Sequence, residues 1–124
     1  MIGYVTLGTN DLARGAALYD AIAADMGTGR MMEFGSFIAW GVPSGAAGIA
    51  LTEPFDGNAA SVGNGVMVAL QAKDTAQVDR LHAIALAQGG VCDGPPGPHG
   101  EGGFYAGYFR DLDGNKLNAF VMGG

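Results

Sequence analysis

The sequence predicts an α+β fold of two paired βαβββ modules, about residues 1–58 and 63–124, forming a curved mixed sheet cup with the helices on its outer face. Three observations carry this expectation. The chain repeats itself at an offset of 63 residues, each copy holds a capped amphipathic segment ended by glycine, and short strand-like runs follow each such segment.

In the repeat, Tyr4-Val5-Thr6-Leu7-Gly8-Thr9-Asn10-Asp11 lies over Met67-Val68-Ala69-Leu70-Gln71-Ala72-Lys73-Asp74. The match continues without a gap through Ala13 on Ala76, Leu18 on Leu81, Ala24 on Ala87 and Gly27 on Gly90. Each copy opens with a strand of about seven residues, after which Asp11 or Asp74 can accept from the free N–H groups of a first helical turn. In the first helix Leu12, Ala16, Tyr19, Ile22, Ala23 and Met26 share a face; in the second, Val78, Leu81, Ile84, Ala85 and Leu86 do, with Gln77, Asp79, Arg80 and Gln88 off it. Gly27 and Gly89-Gly90 suit the left-handed stop. Strands are then expected at Met31–Phe34, Phe37–Gly41 and Gly48–Glu53, and in the second copy near Val91, at Gly103–Arg110 and at Lys116–Met122. Asp113-Gly114 is a hairpin signal, because both residues tolerate a tight turn's positive φ. The stretch 56–61 joins the copies.

Composition narrows the function classes. A chain of 124 residues suits one domain. The single cysteine, Cys92, excludes an intrachain disulfide framework and a multi-cysteine zinc site. Twelve acidic side chains stand against six scattered cations, so a phosphate-tracking surface is not expected and nucleic acid is not a partner. No apolar run approaches the ~18 residues of a membrane span and no signal-peptide pattern opens the chain, so the expected location is cytoplasmic, without a membrane partner.

The opening Ile2-Gly3-Tyr4-Val5-Thr6-Leu7, with Asp11-Leu12 and Leu18-Tyr19, and the closing Tyr108-Phe109-Arg110-Asp111-Leu112-Asp113-Gly114-Asn115-Lys116-Leu117-Asn118-Ala119 resemble the vicinal-oxygen-chelate superfamily, which includes glyoxalases, bleomycin-resistance proteins and extradiol dioxygenases. The resemblance covers nearly the whole chain and implies a homodimer with a sheet-lined cup. Metal-using members take ligands from equivalent strands of both modules. Carried over residue by residue, those positions fall on Tyr4, Ala50, Met67 and Asn118. That set offers no dependable charge to replace an ion's water, and alternation puts Glu53 on the face opposite Ala50. The usual divalent metal is therefore not expected, nor any other cofactor.

Other side chains are candidates for chemistry. His99 lies in a Gly- and Pro-rich stretch read as a loop, where it is either a lid-borne acid or base or a solvated loop histidine. Trp40, Phe104, Tyr105, Tyr108 and Phe109 would flank the cup and hold a small organic ligand, or else fill the core. The binding set is Tyr4, Trp40, Met67, Tyr105, Tyr108 and Asn118, with Tyr4, His99 and Tyr105 as candidate catalytic groups. His82 reads as a partly exposed helix position and Cys92 as a spare apolar cysteine. Asp111–Asn115 lacks the glycine and glutamate of a calcium loop, and Gly63-Asn64-Gly65 precedes a strand rather than entering a helix. Three readings stand: metal-independent binding of a small organic molecule, a metal-dependent glyoxalase-like lyase or isomerase acting on a small carbonyl compound or glutathione adduct, and a metal-free enzyme moving protons through Tyr or His.

Overall fold

A computed structural model describes residues 1–43 and 45–123. The elements run β1 (Tyr4–Gly8), α1 (Leu12–Asp25), β2 (Gly29–Phe34), β3 (Phe37–Gly41), β4 (Gly48–Thr52), β5 (Val68–Gln71), α2 (Thr75–Ala87), β6 (Val91–His99), β7 (Phe104–Arg110) and β8 (Lys116–Val121). Two copies of one βαβββ unit are thus present. Each has its own mixed sheet, ordered β1-β4-β3-β2 and β5-β8-β7-β6, with the first pair parallel and the others antiparallel.

The predicted caps form. Asp11 accepts from the N–H of Arg14, and Asp74 from that of Gln77. Gly27 and Gly89 take positive φ where each helix stops. Both helices seat against their own sheets and against each other. Leu18 and Leu81, both fully buried, each contribute roughly 2 kcal/mol of apolar burial. A Cβ on Gly15 would come 2.8 Å from Leu51 Cδ2 and 3.0 Å from Thr9 Oγ1, so glycine allows α1 to lie this close to β4.

The closing motif locks the modules together. Buried Asp111 accepts from the Tyr19 hydroxyl of α1 at 2.6 Å, from the backbone N–H groups of Asp113 and Asn115, and from Asn115 Nδ2. Asn115 Nδ2 also donates to the Gly8 carbonyl, and Asp113 accepts from the Asn10 N–H. At the other end of the helix pair, Asp25 takes Arg80 at 3.0 Å and Gln77 Nε2.

Four expectations need correction. Residues 94–99 are not a loop, because β6 runs unbroken to His99. Its prolines are tolerated on an edge strand, where outward positions need no N–H, and its pairing with β7 is irregular around Gly94 and Gly97. His82 is buried, at 7% exposure, beneath the β6–β7 hairpin, with Nε2 3.2 Å from Cys92 Sγ. Gln77 is buried because it bridges Lys73 N–H and the Asp25 carbonyl across the modules. Leu86, placed on the buried face from its spacing, is exposed. Among the described residues no helix is long and apolar enough to cross a membrane.

Candidate functional site

Strand alternation sorts the aromatic residues into two populations. On β3, Ile38 and Trp40 turn toward α1: Trp40 is 2% exposed, lies 5.3 Å from the Tyr19 ring, and donates through Nε1 to Asp20. On β7, Tyr105, Gly107 and Phe109 face α2, and the Tyr105 hydroxyl donates to Asp79 at 2.7 Å. That bond raises the Tyr105 phenol above its ordinary value. Trp40, Tyr105 and Phe109 therefore do not line a cup; they join the helix-covered core or its margin.

The opposite faces carry the rest. In the first module the Tyr4 and Phe37 rings, from the strands flanking β4, meet edge to face at 5.9 Å, and Phe34 stacks on Phe37 at 5.0 Å. Ala50 sits buried on the strand between them. Tyr4, Met32 and Phe34 remain 48%, 38% and 65% exposed.

In the second module, register places Tyr108 beside Asn118, and Asn118 beside Ala69. His99, the last residue of β6, packs edge-on to Tyr108 at 5.4 Å and to Phe104 at 6.2 Å. Phe104 stacks on Phe120 at 5.7 Å. Asn118 is only 2% exposed, and its Oδ1 has no hydrogen-bond partner among the described residues. An unmet carbonyl there costs about 1–3 kcal/mol, which a ligand donor could recover. Met67, just ahead of β5, falls on the same face by alternation and is exposed.

The structure thus brings Met67, Tyr108, Asn118 and His99 to one open sheet face and leaves Tyr4 on the other module's face. Among the described residues no hydrogen bond joins the two open faces; those between modules come from the helices and the Asp111–Asn115 turn. Sequence reasoning passed over Phe34, Phe37, Phe120, Arg110 and Lys116. The last three could have been found by stepping two residues along the strands from Asn118 and Tyr108.

The side chains at the positions carried over from the resemblance do not suit a divalent ion. A phenol, a methyl, a thioether and a neutral amide are poor ligands for a hard or borderline divalent ion, and the methyl lies buried. Among the described residues no three His, Cys, Asp or Glu side chains converge.

The sequence model of the Glyoxalase/Bleomycin resistance protein/Dioxygenase superfamily matches residues 1–119. Among solved structures, a glyoxalase/bleomycin resistance protein from Albidiferax ferrireducens is 34% identical over 99% of each chain, with a TM-score of 0.90. A lactoylglutathione lyase from Agrobacterium tumefaciens is 20% identical over 98% of this chain and 92% of that one, at TM-score 0.69. A mutant fosfomycin resistance protein from Listeria monocytogenes, complexed with Mn(II) and 1S,2S-dihydroxypropylphosphonic acid, is 19% identical over 96% and 87%, also at 0.69. The last two likenesses show the fold alone. No curated protein matches the sequence.

Proposed function

The chain belongs to the glyoxalase/bleomycin resistance protein/dioxygenase superfamily, and from that premise we propose that it is a homodimeric, cytoplasmic member that binds a small organic molecule without the usual divalent metal. The observation that carries this is Asn118: a buried carboxamide with an unpartnered oxygen, set among Tyr108, His99, Phe104 and Phe120. Rings with one fixed polar group are how proteins orient small organic ligands. The Tyr4, Ala50, Met67 and Asn118 set supports metal independence by its chemistry. The lyase and resistance activities named for the two distant neighbours are not needed for this reading.

A second reading has one supporting contact. His99 lies against Tyr108 on the open face, so an imidazole stands where it can move a proton on an enolisable ligand.

The test is elemental analysis of the purified protein, together with thermal-shift measurements against neutral aromatic compounds and against Mn(II), Ni(II) and Zn(II). Stabilisation by an aromatic compound in metal-free protein, abolished by Asn118→Leu, is the expected result. Tight stoichiometric metal in the purified chain overturns it.

A further inference from the structure

The open face of the second module changes character along its strands. Arg110 and Lys116 pair in one row, Tyr108 and Asn118 in the next, Ala106 and Phe120 in the third. Alternation adds Met67 to the first row. A cavity of about 490 Å³ opens there, lined by Arg110, Lys116, Met67 and the Gly63–Val66 segment.

The first row is cationic. Arg110 Nε lies 3.0 Å and Lys116 Nζ 3.8 Å from the Asp93 carboxylate, so two cations share one anion. The other carboxylates of this turn are turned elsewhere: Asp111 is enclosed by Tyr19 and Asn115, and Asp113 accepts from Asn10. Arg110 is further held by the Gly114 carbonyl, whereas Lys116 is left 5.5 Å above the Tyr108 ring. Among the described residues this row therefore carries one more cation than anion, in a chain of net charge −6.

Resting on the binding reading above, we infer that this row is an anion subsite and that the ligand is a monoanionic organic acid. Its carboxylate meets Lys116 and Arg110, an N–H or O–H donates to Asn118 Oδ1, and its planar body lies on Tyr108 toward Phe104 and Phe120. Two residues of strand separate the first two rows, so carboxylate and donor stand roughly 7 Å apart. A single spare charge matches a carboxylate rather than a dianionic phosphate.

The probes are 4-hydroxyphenylacetate, which carries a hydroxyl donor across a ring from its carboxylate, and the neutral 4-hydroxyphenylacetamide, measured by calorimetry on the intact chain. The acid is expected to bind about tenfold tighter than the amide. Lys116→Gln weakens the acid far more than the amide and so removes most of the preference, Lys116→Arg keeps the preference, and Asp93→Asn strengthens acid binding severalfold. Equal binding of acid and amide, or equal weakening of both by Lys116→Gln, overturns the anion subsite while the ring-lined binding reading stands. Binding of neither rejects the organic-acid assignment, and the neutral aromatic compounds then decide the broader reading.

Discussion

Burying an amide oxygen without a partner is costly, and Asn118 Oδ1 has none among the described residues. Asn118→Leu, close in volume and free of polar atoms, should raise unfolding free energy by about 1 kcal/mol while weakening aromatic-ligand binding at least tenfold. Urea denaturation and calorimetry read the two effects. A variant that loses more than about 1 kcal/mol would mean the amide is satisfied in the unliganded protein. His82 makes a pH prediction. Burial lowers its pKa, opposed more weakly by the Tyr108 carbonyl and Asp79. The unfolded chain therefore binds the proton more readily, and stability should fall as pH drops through about 6.5. Urea midpoints at pH 7.5 and 5.5 should differ in the wild type and converge in His82→Gln. Asp20 and Asp25, lowered chiefly by hydrogen bonds from Arg30 and Arg80, contribute stability above the ordinary carboxylate range and lose it only near and below about pH 4, outside that comparison.

At the scale of elements, the Arg110-to-Asn115 segment serves as a clamp between modules. Four donors converge on Asp111. Asp111→Ala should cost 3 kcal/mol or more on the order of the unpaired-donor penalty, Tyr19→Phe only about 1 kcal/mol, and the double variant should show coupling between them. Additive losses would show that the two side chains stabilise the junction separately. This segment, both aspartate caps and the 63-residue repeat were legible because local chemistry dictates them: a capping carboxylate, a positive φ at Gly114, a recurring pattern. Two things were not. β3 is apolar at every step and β7 is apolar or aromatic until Arg110, so period-two alternation gives little sign of which face the helix covers, and Trp40 and Tyr105 were placed in the binding set although they face the helices. In β6, proline and glycine composition hid an edge strand, because pairing with β7 supplies what local propensity lacks. With β6 taken as a loop, His99 was read as a lid residue or a solvated loop histidine rather than as a ring fixed against Tyr108.

For the whole molecule, each sheet has one face closed by its helix and one face without a helix. On the first module that second face exposes Tyr4, Met32 and Phe34 around Phe37. On the homodimer reading proposed above, this ring-and-thioether surface is the association site. The second module presents Phe104, Phe120 and Tyr108 on its corresponding face. A two-fold dimer that sets the first module of one chain against the second module of its partner covers both faces twice over, because such an interface is self-complementary. The chain should then sediment as a dimer at micromolar concentration, and Phe34→Glu with Met32→Glu should yield a monomer. Both residues lie away from Asn118, on the other sheet, so the pair also separates two architectures. Loss of aromatic-ligand binding along with the dimer makes the cup a composite of two chains. Monomers that still bind place the complete site on one chain, and a dimer unaffected by the two charges removes the first module's open face from the interface.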